Sequence, residues 1–264
     1  MVRRSEYKDI NWNGKISAAL HALSLSLTLA FAMSPLAAAE ATVAVEKTSL
    51  GQNKTAPPIK AFSQSFKLTS SGVPFSIKAE RRLRVDADGN WHMKVSADNW
   101  LGEITEDTIF SWDECIPQSS YYGYKRVGLG KERRAEVHLN RGTGEARVVK
   151  AKKENVYPIT TATTDKLSQT LALQCMVSRG DMALELDIAD ERGLDRIQYR
   201  REGEEWLKTP AGKIRAVKLE RVRDTDSDRR TLLWFARDHD YSLVQMIQEE
   251  DGKQHTLVIR SLSH

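Results

Sequence analysis

Apolar and polar side chains alternate along most of the chain from Ile59 onward. In 75–85 and 91–98 the odd-numbered positions are mostly apolar and the even-numbered positions are polar or charged. The intervening segment, 86–90, has the composition of a turn. Alternation with a period of two is typical of half-buried strands. These segments therefore predict a β-hairpin, with further strands over 62–68 and 104–112.

The same rhythm continues to the C-terminus and predicts an antiparallel meander. Glycine-containing corners at Glu202-Gly203 and Asp251-Gly252 are typical of hairpin turns, because such turns need positive φ. The further predicted strands are 135–139, 145–150, 196–201, 205–208, 213–223, 229–237, 241–250 and 253–260.

One segment departs from this alternation. Leu167, Leu171 and Cys175 recur at helical spacing, and neither Pro nor Gly interrupts them. Thr164 or Asp165 can cap the N-terminus, and Gly180 can end the helix. The pattern predicts a single helix over Asp165–Arg179 in an otherwise all-β protein.

The late strands are apolar on both faces. Leu232, Trp234 and Ala236 alternate with the apolar Leu233 and Phe235. Strands of this kind are covered on both sides. The predicted fold class is mainly β: a curved antiparallel sheet or open β-barrel (half-barrel) with one inserted α-helix on its concave face. The convex face then needs a cover, which could be a loop, a partner or the sheet folding back.

The N-terminus has the pattern of an export leader. Basic residues precede an uncharged apolar run over 16–33, and small residues end at Ala39. We interpret 1–39 as a signal peptide, 40–58 as a disordered spacer and 59–264 as a single β-rich domain. The alternative for the leader is an uncleaved membrane anchor. After cleavage, the protein would have no stable transmembrane span and would be located in the periplasm.

The charge composition bears on whether the protein binds nucleic acid. The leader holds 4 of the 40 basic and 2 of the 36 acidic residues, which leaves 36 against 34 in the remainder, a net charge of +2. This balance gives no case for nucleic acid as a partner.

Cys115 and Cys175 are the two cysteines of the chain. They could form a disulfide after export, or they could be two separately buried thiols. A metal site would need further ligands at suitable spacing, and none is seen, so we predict no metal.

No sequence motif indicates catalysis or a cofactor. Gly128-Leu129-Gly130 lacks the third glycine of a dinucleotide fingerprint. The acidic run that begins at Asp224 lacks the glycine and the twelfth-position acid of a calcium loop. We therefore expect a non-enzymatic protein with no catalytic residues and no cofactor.

Several short stretches, in order along the chain, resemble the exported bacterial family known as domain of unknown function 3108. The stretches are 102–106, 124–131, 165–168, 209–212, 217–221, 234–238 and 248–252. The resemblance implies export and a β-rich fold. It implies no activity and no functional residues.

Two hypotheses about function follow. In the first, a hydrophobic or lipid ligand binds an aromatic stripe of Phe110, Trp112 and Trp234 on the concave side, near Leu167 and Leu171. In the second, the protein binds another cell-envelope protein through exposed strands or an apolar face. An apolar cavity of roughly 300 Å³ or more would favour the first hypothesis, and a closed, filled core would favour the second.

Processing can be tested directly. Mass spectrometry of the protein isolated from its native envelope is expected to give Glu40 as the first residue, because Ala37 and Ala39 form an A-x-A cleavage site. Recovery of an intact 1–39 segment in the membrane fraction would contradict this prediction and support the anchor.

Overall fold

The computed structural model describes residues 58–99, 102–128, 131–151, 153–223 and 227–263. The predicted leader, 1–39, lies outside these residues, and only Pro58 of the predicted spacer is described. All described residues belong to one compact unit, Lys54–His264.

Fifteen strands and one helix are found among the described residues. The strands are β1 Phe62–Ser70, β2 Ile77–Val85, β3 Trp91–Asn99, β4 Gly102–Asp113, β5 Ile116–Gly128, β6 Lys131–Asn140, β7 Glu145–Lys150, β8 Lys153–Pro158, β9 Thr163–Asp165, β10 Leu184–Asp190, β11 Gly193–Thr209, β12 Gly212–Arg221, β13 Arg230–Ala236, β14 Ser242–Glu250 and β15 Lys253–Ser263; the helix is α1 Gln169–Arg179.

All fifteen strands form one sheet, in the order β8-β7-β6-β5-β4-β3-β2-β1-β15-β14-β13-β12-β11-β10-β9. Neighbours are antiparallel except β9 and β10, which are parallel. The first and last strands pair with each other in the middle of the sheet. The sheet curves until its two ends approach each other. This approach is seen in the hydrogen bond that the Tyr157 hydroxyl of β8 donates to the Asp190 carbonyl of β10, at 2.8 Å. The fold is a mainly β, curved and unclosed sheet with one helix, as predicted.

Helix α1 fills the concave side of the sheet. Its Leu171 and Cys175 belong to the first core cluster, whose other members include Leu83, Met93, Phe110, Tyr122 and Val137. Its Ala172, Leu173 and Val177 belong to the second core cluster, with Ile188, Leu219, Leu233 and Phe235. Since apolar side chains contact the helix from two sides, the chain itself packs the interior around α1.

The start of the helix differs from the prediction. The helix begins at Gln169, and Asp165 lies in β9, where its backbone pairs with β10. The Asp165 carboxylate still accepts hydrogen bonds from the amides of Leu167 and Ser168, at 2.6 and 2.9 Å. Asp165 thus stabilises the approach to the helix from a strand position. The predicted end is confirmed, since Gly180 adopts a left-handed φ of 80°.

The same carboxylate is the centre of a buried polar cluster, here called the Asp165 hub. Its Oδ2 accepts hydrogen bonds from the hydroxyls of Thr108 (2.6 Å), Ser119 (2.5 Å) and Ser168 (2.6 Å). Thr164 completes the hub through a 2.8 Å contact with the Ser168 hydroxyl. All five residues are buried. Strands β4 and β5 are thereby tied to the segment that leads into α1.

The apolar second face of the late strands is covered by the sheet itself. Trp234, Leu232 and Ala236 of β13 lie in a third core cluster with Ile214 and Ala216 of β12, Val244, Ile259, and Phe66 and Ala79 of β1 and β2. The β11–β12 hairpin extends beyond the end of β13, and β11 contacts β15, which lies four strands away in the sheet. Of the three covers considered from the sequence, the structure uses the sheet folding back.

Two details of the predicted meander were wrong. Glu202-Gly203 is not a hairpin corner, because β11 runs through it. Glu202 is the extra residue of a β-bulge opposite β12, and Gly203 pairs with Lys218. Gly203 has a φ of 123°, which suits glycine in a bulge as well as in a turn. The first half of β11 pairs with β10, a strand that the alternation of apolar and polar residues did not predict.

The two cysteines form a disulfide that joins the β4–β5 turn to α1. Cys115 and Cys175 have a Cα–Cα distance of 5.4 Å, within the usual range for a bridge. Both are buried. The structure thereby selects the paired state from the two alternatives that the sequence left open.

Loss of the disulfide is expected to destabilise the fold. The bridge spans 60 residues, and closing such a loop in the unfolded chain is worth up to about 4 kcal/mol in the chain-entropy model. Urea denaturation of a Cys115→Ser/Cys175→Ser variant should show most of this loss. Reduction of the wild type should reproduce it and leave the variant unchanged. Two free thiols in the folded, exported protein would contradict the prediction.

Removing the charge of the Asp165 hub is also expected to destabilise the fold. In Asp165→Asn the amide NH2 replaces one acceptor and faces groups that donate to the carboxylate, so the free energy of unfolding should fall by about 2–4 kcal/mol. The control is Asp238→Asn, at an exposed position, where a change within about 0.5 kcal/mol is expected. Equal effects in the two variants would show that the hub does not stabilise the fold.

Candidate functional site

A β-bulge in the β4–β5 hairpin shapes the site. Ile109 pairs with Tyr121, while Phe110 pairs with Ser119, so Ser120 is the extra residue. The bulge lets Ser119 and Tyr122 both be buried although they are three positions apart. Ser119 is thus turned toward the Asp165 hub, and Ser120 stays exposed.

An open groove of about 810 Å³ lies beside this bulge, at the ends of β4, β5 and β6. Its floor is tied to the hub through Ser119, which lines the groove and donates to Asp165. The lining is mixed: one indole and one aliphatic side chain lie among amides, hydroxyls and two charged groups. The lining residues are Ser111, Trp112, Asp113, Gln118, Ser119, Ser120, Leu139, Asn140 and Arg141.

Trp112 supplies the aromatic wall of the groove. Its ring meets Phe110 edge-on with centroids 5.2 Å apart, and Trp91 at 6.3 Å. The Trp112 side chain packs against the first core cluster, which holds the ring in place. Its indole Nε1 is buried, and no described residue accepts a hydrogen bond from it. Because this nitrogen is not exposed, the part of Trp112 that is available to the groove is the rest of its half-buried ring.

Arg141 supplies the cation. Its guanidinium donates to the backbone carbonyls of Thr163 (2.7 Å), Ser119 (3.3 Å) and Thr160 (3.4 Å). Burial lowers the pKa of Arg141, and the charge of Asp113 opposes that shift. The side chain is half-buried, and its described hydrogen bonds all go to neutral carbonyls. The Arg141 charge can therefore still attract an anion.

A smaller depression of about 330 Å³ lies next to the groove and shares Asp113 with it. It borders the disulfide and contains Arg179, whose guanidinium lies 3.1 Å from Glu114 and 3.8 Å from Asp181. Because two carboxylates already neutralise Arg179, the electrostatic attraction of this depression for an anion is much weaker than that of the groove.

The three aromatic residues proposed from the sequence are not all together. Phe110 and Trp112 pack in the first core cluster with Leu167 and Leu171. Trp234 lies in the third core cluster. Its indole donates to the Glu205 carboxylate at 2.6 Å, and the residue is 3% exposed. Phe110 is 1% exposed, so Trp112 is the one of the three that lines a groove.

The alternation of apolar and polar residues does not predict the polar side chains of this groove. Arg141 and Asn140 belong to a segment that the sequence presents only as a turn, and Gln118 lies just after the β4–β5 corner. Nothing in their spacing distinguishes them from other surface residues. Their proximity depends on the curvature of the sheet and on the loop carbonyls that Arg141 and Gln118 reach.

A buried cation lies deeper in the sheet. Arg81 is 3% exposed and donates to Gln64 Oε1 (3.0 Å) and Thr170 Oγ1 (2.9 Å), with its guanidinium 4.8 Å from the centre of the Phe62 ring. Burial lowers its pKa to about 9. The Gln64–Arg81 pair lies between Phe62–Leu83 of the first core cluster and Phe66–Ala79 of the third. These described partners are neutral, and α1 covers the group, so we treat Arg81 as part of the interior.

No helix among the described residues is long and apolar enough to cross a membrane. Within the same residues, no group of three or more His, Cys, Asp or Glu side chains is placed to hold a metal ion.

Comparison with solved structures places the fold among β-barrel-like proteins. The crystal structure of a beta-barrel-like protein of domain of unknown function DUF1849 from Brucella abortus matches with a TM-score of 0.52 at 11% identity, covering 77% of this chain and 97% of that chain. At this identity the match shows the fold alone.

Two further matches are weaker. A putative lipoprotein from Parabacteroides distasonis has a TM-score of 0.31 at 11% identity, covering 78% of this chain and 97% of its own. The MucA/MucB complex of Pseudomonas aeruginosa has a TM-score of 0.16 at 10% identity, covering 76% and 88%. Such scores carry no argument about function.

No curated protein matches the chain. The model of the family described as protein of unknown function (DUF3108) matches residues 65–255, most of the chain. The chain therefore belongs to the DUF3108 family.

Proposed function

We propose that this protein is an exported, non-enzymatic binding protein that takes an anionic amphiphile in the groove beside Trp112 and Arg141. The observation that carries the proposal is the Trp112 side chain in the wall of a groove that also contains the Arg141 cation, whose described hydrogen bonds all go to neutral carbonyls. The groove, of about 810 Å³, is open to solvent, so a ligand bound there would stay partly exposed.

The lining fits a ligand with two chemical parts. An apolar portion would lie on the Trp112 ring and Leu139, where each buried methylene contributes about 0.8 kcal/mol. A carboxylate or phosphate would face Arg141, with Gln118 and Asn140 as further donors. A fatty acid or an anionic lipid has both parts. Helix α1 fills the concave interior, the outcome that favours the envelope-protein hypothesis over a ligand inside the sheet. We therefore propose the ligand at the edge of the sheet and keep the protein partner as the second candidate.

Export is supported by two independent features. The first is the leader pattern over 1–39. The second is the disulfide between Cys115 and Cys175, because disulfides persist in oxidising compartments such as the periplasm. We therefore propose a periplasmic location for the domain.

The burial and hydrogen bonding of Ser119 favour a binding role over catalysis. Ser119 does donate to a carboxylate, Asp165, but both residues are 1% exposed or less. Asp165 is also engaged by four other donors. A serine and carboxylate held in this way form a structural network and leave no free base for activating a nucleophile.

The ligand proposal can be tested with oleate as the probe. Native mass spectrometry of the protein isolated from envelopes should detect a co-purifying anionic lipid, and a fluorescence titration should show oleate binding. Trp112→Ala should weaken oleate binding about tenfold or more through lost ring contact. Trp112→Phe keeps an aromatic ring and should retain more of the binding than Trp112→Ala. Arg141→Gln should weaken oleate about tenfold while leaving oleyl alcohol nearly unchanged, because only the charged headgroup uses the guanidinium.

The matched control is Arg179→Gln, which removes a cation from the neighbouring, neutralised depression. Circular dichroism and thermal midpoints of all variants separate lost binding from lost folding. Oleate binding that is absent, or that is equal in wild type, Trp112→Ala and Arg141→Gln, would reject the proposal.

A second candidate function is binding of another envelope protein by strand addition. The supporting observation is the terminal strand β8, which ends the sheet order beyond β7, is mostly exposed, and carries Val156 at 51% exposure. Such edges can pair with an added strand. Capture of an envelope protein that is lost in Val156→Glu, without oleate binding in the wild type, would favour this function over the first.

A further inference from the structure

The end of the β11–β12 hairpin, residues 206–214, projects beyond β13. The last β12–β13 pair is Ala216–Ala236, whereas β11 and β12 stay paired to Thr209–Gly212. One face of this projecting end is held down, because Leu207 and Ile214 pack into the third core cluster. The turn is fixed by Pro210 and by Thr209, whose hydroxyl donates to the Gly212 carbonyl at 2.8 Å. The projection is therefore an ordered part of the sheet.

The other face of the projecting hairpin end carries an unusual side chain for a solvated surface. Trp206 is 58% exposed, the most exposed large aromatic side chain among the described residues. It pairs across the strands with Arg215, on the face opposite to Leu207 and Ile214. Pro210 and Ala211 at the turn are also exposed. A single exposed apolar side chain is common on proteins, and the feature that distinguishes Trp206 is the set of charges around it.

The charges around Trp206 select the chemistry of that surface. Residues 206–214 contain Lys208 and Lys213 and no Asp or Glu. The Lys213 ammonium lies 4.8 Å from the centre of the Trp206 ring. The nearest acids along the strand, Glu204 and Glu205, are occupied by Arg215 and Arg237 and by Trp234, respectively. No described carboxylate forms an ion pair with either lysine. The end of the hairpin is thus a tryptophan flanked by two unneutralised cations.

From this arrangement we propose that the hairpin end 206–214 docks the protein on an anionic lipid bilayer. Tryptophan is enriched at the membrane–water interface because its ring is apolar and its N–H can stay hydrated. Lysines close to an anionic bilayer gain affinity from the negative surface potential. Trp206 enters the headgroup region while Lys208 and Lys213 contact lipid phosphates. This surface is separate from the groove of Trp112 and does not depend on the groove binding a ligand.

The test is co-sedimentation with vesicles, using the chain as isolated from envelopes. Every variant keeps the same N-terminus, so any contribution of that segment cancels in the comparison. Wild-type protein should bind vesicles of equal phosphatidylglycerol and phosphatidylcholine and should bind phosphatidylcholine alone much less. Lys208→Gln and Lys213→Gln should each lower the partition coefficient about fivefold, and raised salt should weaken binding. Trp206→Ala should lower it further, and the blue shift of tryptophan fluorescence on vesicles should be lost in Trp206→Phe.

Controls match each variant in chemistry. Met182→Ala removes another highly exposed apolar side chain, and Lys153→Gln removes an exposed lysine elsewhere; both should bind like wild type. Oleate binding should be unchanged in Trp206→Ala, which separates this proposal from the groove. The proposal is overturned if Trp206→Ala binds vesicles like wild type. It is also overturned if Trp206→Ala abolishes self-association or the capture of a protein while the wild type ignores anionic vesicles.

Discussion

The Asp165 carboxylate is the group on which the rest of the structure depends. A buried carboxylate is strongly unfavourable unless hydrogen bonds replace its water shell. Asp165 receives five such bonds, from Thr108 of β4, Ser119 of β5 and the segment that leads into α1. Any arrangement that separates these strands from the start of the helix strips donors from a buried charge. The position of α1 inside the curved sheet is therefore fixed by polar geometry, and the apolar packing then completes it.

Placing the helix inside the curve determines where the remaining apolar surface must go. One helix covers the concave side of β10–β14, but β13 is apolar on both faces. The projecting β11–β12 hairpin covers the second face by contacting β15 across the curve. Gln64 and Arg81 lie between the two apolar regions of β1 and β2, and Arg81 also reaches Thr170 of α1. A polar pair in this position penalises a slipped register, because a shift would bury the guanidinium among apolar side chains.

Much of the sheet was predictable, because alternation with a period of two depends on local burial alone. It located both strands of the β2–β3 hairpin and the two-faced character of β13. The alternation pattern does not predict the structure where contacts between distant segments determine it. Gly203 is a residue type typical of turns, but the pairing of β11 with β12 places it in a β-bulge. Asp165 looked like an N-cap, and only the parallel pairing with β10 shows that it belongs to a strand. The separation of Trp234 from Trp112 likewise depends on which face of β13 the folded-back hairpin covers.

The candidate groove could not be predicted for a related reason: it arises from a single inserted residue. The bulge at Ser120 turns Ser119 inward to the hub and leaves Ser120 at the groove surface. The rigid floor of the groove is therefore part of the stabilising network, whereas Asn140 and Arg141 extend from the adjoining β6–β7 turn. Substitutions in that turn can change the lining of the groove without removing a donor from Asp165. The buried carboxylate thus fixes the framework, and the turn beside it can vary in sequence without disturbing that network.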